Sequence, residues 1–417
     1  MRYYVGIDVS QRQVSICVLD QEGKRLWRGK CLTDPAAITA TLHDRRGGRL
    51  RSASMCHDRV VQPDEEPSTM TLTTIGLDVA KLVFQVHGVD ENSRAVLKRK
   101  LHRHEVVTFF EELPRCTVFL EACGASHYWA RLLTALGHEV KLIAPEAVKP
   151  FAKKGKKNDA VDAAALCVAG SRPEIQFVPI KSVAQQAVLA LHTARSLLVK
   201  QQTMLANAIR GLASEFGLVV PQGLHRLEEL MVQVTAEASF PAVGRQALIV
   251  LHAQLQAAAE RIVMLEEQIV VHARQNASAR RLATIPGIGP ITASLIAATV
   301  GDNITAFTSA RHFAAWLGLV PRQHSTGGKP RLGRITKAGN TEIRRLLVLG
   351  ATSMVRRAET WNSAAGIWLR GVLARRPVRL TTVALANKMA RIAWALLTRN
   401  DVYRAQGRSK VAAGAAA

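Results

Sequence analysis

A segment of twenty-one residues occurs twice in this chain. YVGIDVSQRQVSICVLDQEGK, from Tyr4 to Lys24, returns as TIGLDVAKLVFQVHGVDENSR, from Thr74 to Arg94, at a constant offset of seventy residues. Such self-similarity marks one supersecondary unit used twice. Both copies read as strand, tight turn, strand. Each runs on into a basic strand and an amphipathic helix, which end near Asp44 and Pro114. Only the second copy is followed by the rest of a domain. Residues 45–69 between them are polar, rich in Arg, Ser, Pro and Glu and without periodicity, the composition of a linker or disordered join. Met70 reads as a natural start.

From Thr74 the pattern alternates. TIGLDV, FQVHGV and AVLKRK predict three strands, followed by a helix near Glu105 to Leu113, the strand TVFLEA, a second helix, the strand VKLIA and a helix from Asn158 to about Ala169. This is an α/β domain spanning 70–170. Two long helical stretches with heptad spacing follow in 171–280, one carrying Leu191, Leu198, Leu205 and Leu212, the other Leu248, Leu255, Ile262 and Ile269 with Leu251, Ala258 and Leu265 interleaved. That spacing suits either a helical hairpin closed on itself or a coiled coil between protomers, the second being the expectation.

After Arg281 comes IPGIGPITASLIAATVGD, in which Pro286, Gly287, Ile288 and Gly289 predict a turn between two helices. A helix-hairpin-helix of this kind directs backbone N–H groups at a helix N-terminus outward, where Gly287 and Gly289 could meet a phosphate; a purely structural turn is the plainer alternative. The remaining helices, including Thr381 to Thr398, complete a mainly α-helical domain over 281–405. The tail 406–417 has the composition of a disordered segment.

Charge separates these parts. The formal net charge of the 417 residues is +24. From Gly301 to the end there are 20 Lys and Arg against 4 Asp and Glu, whereas from Thr71 to Gly170 there are 14 against 11. A nearly balanced domain therefore precedes a strongly basic one, which suits a catalytic part joined to a part that grips a polyanion. No run of eighteen apolar residues occurs, and Arg2 and Asp8 interrupt any signal-like start, so export and a membrane location are not expected. The six cysteines are scattered without zinc-ligand spacing and read as reduced thiols of a cytoplasmic protein.

Four acids at three sites sit where an RNase H-like fold would need them: Asp78 in mid-strand, Glu121 at the end of TVFLEA, and Asp159 with Asp162 in KKNDAVDAAAL. The last two, at i and i+3, share one helix face. A carboxylate in the middle of an apolar strand needs a counter-charge, and hard oxygen ligands without His or Cys suit Mg²⁺, two ions of which can assist phosphoryl transfer. Singly, each acid could be an ordinary surface or capping group.

The second constellation is GLVPRQHSTGGKPRLGRITKAGN, Gly318 to Asn340, where Ser325 precedes Thr326, Gly327 and Gly328 among Arg322, Lys329, Arg331, Arg334 and Lys337. A serine so placed is either a phosphate contact or a nucleophile whose target is polarised by the surrounding cations.

GLDVAK, FLEACG, KKNDAVDA, IPGIGP and HSTGGKPRLGRITKAGNTEIRRLL occur in an order that resembles the DEDD-motif insertion-sequence transposases, a family that includes the Piv-type recombinases. The resemblance covers Met70 to roughly Leu373. It implies a RuvC-like domain whose Asp78, Glu121, Asp159 and Asp162 bind Mg²⁺, and a C-terminal domain whose Ser325 attacks a DNA phosphate to form a covalent 5′-phosphoserine. It further implies double-stranded DNA as partner and a structured non-coding RNA as guide, for which the basic run Lys153, Lys154, Lys156 and Lys157 would suit either nucleic acid. A homodimer or tetramer is expected. Asn158 and Cys123 depart from the residue types usual in the family, and neither replaces a metal ligand. Asp8 lies 113 residues before Glu121 and Asp78 only 43 before it; the shorter interval matches the family, which assigns the metal to Asp78. Two other readings stay open: an RNase H-like junction nuclease in which water attacks, and a catalytically silent DNA- or RNA-binding regulator.

Overall fold

The structure, a computed structural model, describes residues 4–9, 13–19, 25–32, 34, 72–152, 159–324 and 331–404. The linker and tail expectations, together with Lys153, Lys154, Lys156, Lys157, Asn158, Ser325 and Lys329, lie outside the described residues. The chain forms two compact units, 1–69 and 70–417.

In the first unit, strands β1 (Tyr4–Val9), β2 (Gln13–Leu19) and β3 (Arg25–Leu32) form an antiparallel sheet in that order. Tyr4 pairs with Leu19, Asp8 with Ser15 and Gln13 with Leu32. In the second unit, β4 (Thr74–Val79), β5 (Val83–Val89) and β6 (Ala95–His102) pair Thr74 with Val89, Asp78 with Gln85 and Val83 with His102. The seventy-residue repeat is thus a repeat of register as well as of sequence, down to the irregularity at Val18/Leu19 and its counterpart at Gly88/Val89.

The second sheet grows beyond the meander. Helix α1 (Val106–Glu111) leads to β7 (Thr117–Glu121), and α2 (Ser126–Ala135) leads to β8 (Glu139–Ile143). The short α3 (Pro145–Val148) and α4 (Asp159–Gly170) precede β9 (Phe177–Val178). The strand order is β6-β5-β4-β7-β8-β9, with β4, β7 and β8 mutually parallel and the remaining neighbours antiparallel.

Strand parity sorts the side chains into two layers. Ile75, Leu77, Phe84, Val86, Val118, Leu120 and Leu142 face α1 and α2, where Phe109, Phe110, Trp129 and Leu133 complete a buried core. Phe119 and Ile143 face the other way and pack with Ala165, Leu166 and Ala169 of α4. Gly76 and Asp78 have the parity of this second face.

Helix α5 (Val183–Ser214) opens with a capping box from Ser182 and Gln185, and α6 (Arg226–Ala236) connects it to α7 (Ala242–Gln275). Leu248, Leu255, Ile262 and Ile269 of α7 are all buried, and α5 and α7 run antiparallel along each other within the chain, tied by an ion pair between Arg195 and Glu266. On α5, however, Ala206, Ile209 and Ala213 are the buried contacts in the outer half of this hairpin, while Leu212 of the leucine heptad is 45% exposed. Helix α7 is the one described helix long and apolar enough to cross a membrane by length and mean hydropathy.

The C-terminal region has the largest core. It comprises α8 (Ala277–Ala283), α9 (Pro290–Val300), α10 (Ala310–Trp316), a two-stranded ribbon of β10 (Pro321–Gln323) and β11 (Leu332–Ile335), α11 (Thr341–Arg356), α12 (Ala364–Leu373) and α13 (Val378–Arg399). The molecule is therefore an α/β domain followed by a helical region.

Candidate active site

The acids converge because of backbone geometry. Leu77 pairs with Leu120 in the parallel β4–β7 ladder, so the next step along both strands sets Asp78 beside Glu121. Both acids share the sheet face covered by α4. That helix lies unusually close: a Cβ on Gly76 would come within 2.0 Å of the Ala163 carbonyl oxygen and 3.0 Å of Cys167 Sγ. Gly170 similarly meets the Phe119 ring, which a Cβ would approach to 2.4 Å. With Ala163 seated on Gly76, the first turn of α4 carries Asp159 and Asp162 over Asp78, two positions further along the strand.

The electrostatics agree with this placement. Asp78 is half-buried, and its pKa is pushed up to about 6 by burial first, then by the charges of Asp159, Asp162 and Glu121. A hydrogen bond at the Val79 backbone opposes the rise. Cys123 is influenced by the same field, its thiol held protonated by burial and by Glu121 and Asp78. Among the described residues, no three His, Cys, Asp or Glu side chains are gathered closely enough to form a ready-made metal site. The four acids instead concentrate negative potential at the C-terminal ends of the two central strands β4 and β7, a set of hard oxygens whose chemistry fits a divalent cation.

The ribbon of the C-terminal region is built differently. Arg322, Arg331 and Arg334 are exposed along it, and Lys337, also exposed, follows it with a positive φ of 57°. Arg322 Nη2 donates to the Thr336 carbonyl at 3.3 Å, and the His324 amide donates to the Arg331 carbonyl at 2.8 Å. The charges acting on Asp78 are those of the other acids, and no described ribbon residue is among them. The structure thus brings the four acids together and places the ribbon cations together, as two groups.

Gly287 and Gly289 separate in character. Gly287, at φ 86°, turns into the packing, where a Cβ would meet Met389, Met354 and the Gly350 carbonyl at 2.9 to 3.2 Å. Gly289 faces open space at the start of α9. Close packing therefore accounts for the first glycine, whereas the second has open space beside it.

Two residues of the site region were not singled out from the sequence. Gly76 was legible as a small residue two before Asp78. Arg344 was legible as a charged residue adjoining the apolar stripe Ile343, Leu347 and Ala351, all of them buried in the structure.

An α/β domain with clustered carboxylates, leading through a helical hairpin into a basic helical region, is matched by family models in two parts. A DEDD-type transposase model of the IS110 class matches residues 75–217, beginning at β4 and so at the second copy of the repeat. The Transposase IS116/IS110/IS902 family model matches residues 279–365. The chain belongs to the IS110 family of transposases. It is 51% identical over 338 residues to the "Probable family 20 transposase" of Pseudomonas aeruginosa, covering 80% of this chain and 99% of that relative. It is 39% identical over 332 residues to the transposase for insertion sequence element IS1328 of Yersinia enterocolitica, covering 80% and 98%. The pilin gene-inverting protein of Moraxella lacunata is 39% identical over 77 residues, 18% of this chain and 24% of that protein.

Proposed function

We propose that this transposase cuts and rejoins DNA with an RNase H-like (RuvC-like) domain at 70–170 and a serine-bearing helix-hairpin-helix domain at 281–405, the helical segment 171–280 closing on itself as a hairpin and pairing protomers through its exposed face. The observation that carries the reading is the placement of Asp78 beside Glu121 on adjacent parallel strands, under the first turn of α4 with its Asp159 and Asp162. The strand order, an antiparallel meander followed by two strands parallel to its first, supports the RNase H-like assignment. Residues 1–69 are an extension carrying a duplicate of the first strands.

Asp78, Glu121, Asp159 and Asp162 would hold Mg²⁺, which when bound neutralises charge developing on a phosphodiester. Ser325 Oγ attacks the phosphorus. The Oγ–P bond forms, the P–O3′ bond breaks, and the hydroxyl proton passes in net terms to the departing 3′ oxygen. This leaves a 5′-phosphoserine and a free 3′-hydroxyl. Arg322, Lys329, Arg331, Arg334 and Lys337 stabilise the phosphate oxygens during the step. Since the acids and the ribbon form separate groups, a dimer or tetramer supplies a way to bring them to one phosphate. Double-stranded DNA is the substrate and a structured RNA the guide, with Lys153, Lys154, Lys156, Lys157 and Gly289 as further phosphate contacts, Gly287 being a packing glycine instead. The protein acts in the bacterial cytoplasm.

The test is incubation of the purified protein with Mg²⁺, the element's DNA ends and the adjoining non-coding transcript, followed by a denaturing gel. Wild type should give a protein–DNA adduct that Ser325→Ala and Asp78→Ala both lack. Cleavage that persists in Ser325→Ala without any adduct would make the protein a water-using nuclease and overturn the mechanism.

A further inference from the structure

The root of the ribbon is held by a buried cation. Arg344, on the first turn of α11, is 8% exposed. Its Nη1 donates to the carbonyl oxygens of Leu317 at 2.9 Å and Ala338 at 2.6 Å, and its Nη2 to Thr341 Oγ1 at 3.1 Å. Leu317 lies just before the ribbon and Ala338 just after it, so one guanidinium joins the two ends of the excursion. Among the described residues no carboxylate lies within ion-pair distance of Arg344. A buried charge without a counter-ion is costly, and an apolar side chain of similar size would fill the space more cheaply. What the guanidinium alone supplies is a rigid fork of donors that fixes the spacing of two backbone segments.

The rest of the root is built for the same close approach. Gly318 and Gly339 have φ of 68° and 62°, and a Cβ on them would lie 2.4 Å from the Ala338 amide nitrogen and 1.8 Å from the Trp316 carbonyl oxygen. The Lys337 amide donates to the Gly318 carbonyl at 3.1 Å, and the Thr336 amide to that of Val320 at 2.9 Å. From α13, Asn387 Nδ2 donates to the Leu319 carbonyl at 3.1 Å. Beyond the root, β10 is exposed along its length and its register shifts between Pro321 and Gln323. The aim of the ribbon is therefore set where it joins the helices.

We propose that Arg344, assisted by Asn387, is a positioning residue that aims the serine-bearing ribbon at its phosphate; the proposal rests on the serine reading above. A strand rises about 3.3 Å per residue, so the run from Gly318 to His324 reaches roughly 20 Å, and a tilt of roughly 5° at the root moves its end by about 2 Å. Misplacement by about 1 Å is enough to cost on the order of a hundredfold in rate.

The test uses the full chain with Arg344→Lys and Asn387→Ala beside wild type and Ser325→Ala. The single-turnover rate of adduct formation at saturating DNA is measured together with Kd for the same DNA, and folding is checked by circular dichroism. Arg344→Lys should lower the rate about 10- to 100-fold and Asn387→Ala about 3- to 10-fold, with Kd within about twofold of wild type. Hydrogen exchange reads the root without any reaction: Arg344→Lys should speed exchange of the Thr336 and Lys337 amides about tenfold or more while α13 stays protected. If Arg344→Lys fails to fold, Asn387→Ala decides by the same two readouts. Wild-type rates and wild-type exchange, or a rate loss matched by an equal loss of affinity, would overturn the positioning role. An absence of adduct from wild type itself would strike the serine reading, and the exchange data would still decide whether Arg344 holds the root.

Discussion

Gly76 and Ala163 meet backbone to backbone, leaving only 2.0 Å between the place a Cβ would occupy on the strand and the carbonyl oxygen on the helix. That contact determines how far Asp159 and Asp162 stand from Asp78. Gly76→Ala should force α4 away from the sheet, costing about 1–3 kcal/mol as an overpacked core and weakening the coupling among the acids. Thermal unfolding should show a midpoint several degrees lower, and DNA cleavage should fall although every carboxylate is retained. A midpoint equal to wild type would mean that the helix does not rest on Gly76.

Asp78 makes the metal-free protein prefer acid. Its pKa rises from 3.8 to about 6 on folding, so the folded state holds a proton that the unfolded state has lost. The stability gained from this group is complete below the unfolded value and is lost as pH rises through about 6. Asp78→Asn should therefore stabilise the metal-free protein at pH 7.5, by about 1 kcal/mol after allowance for solvent screening of a half-exposed group, and change little at pH 4. Urea denaturation at the two pH values, with chelator present, checks the sign.

A divalent cation should reverse that preference. Binding to the folded state alone stabilises by RT ln(1 + [L]/Kd), about 1.4 kcal/mol at a tenfold excess over Kd. Mg²⁺ should thus raise the unfolding midpoint at pH 7.5 and do so less at pH 5, where protons compete for Asp78. A chelator should undo the gain. An equal rise in Asp78→Asn would place the ion elsewhere.

Ser294 links the helical hairpin to the C-terminal core. Its fully buried hydroxyl lies 2.9 Å from His192 Nε2 and 2.9 Å from His272 Nδ1, joining α5, α7 and α9. Burial lowers the pKa of His192 to about 4, helped by the charges of Arg195 and His272 and opposed by Glu342. A depressed pKa leaves the histidine neutral when folded, so this contribution is present above the unfolded value of 6.5 and is lost as pH falls through about 4. Ser294→Ala should cost about 1–3 kcal/mol at pH 7, since it strands two ring nitrogens. Denaturation curves from pH 7.5 to 4 should show wild type and variant both losing stability as pH falls, because burial, the main cause of the depressed His192 pKa, is common to the two.

Much of the α/β domain was legible because strand and helix periods are local. The strands around Asp78 and Glu121 and the helix at Asp159 all stand where alternation and apolar spacing put them, within a few residues. The heptads were legible as helices, but the partner of each was not. Leu248 and Ile269 turn out to bury against the same chain, whereas Leu212 is largely exposed, and a spacing of seven is the same in both cases. The glycines of the turn before α9 also read alike in sequence, yet one is packed and the other open.

The sequence by itself determined the order of the elements, the duplicated register, the identities of the four acids and the concentration of basic charge toward the C-terminus, because each follows from side-chain type and near-neighbour spacing. Tertiary structure alone decided that Asp78 feels three other carboxylates, that Gly76 sets their approach, and that Arg344 lies buried between two carbonyls. These depend on which strand pairs with which and on how closely a helix may approach a sheet. Such distances arise between residues far apart in the chain, where no local period records them.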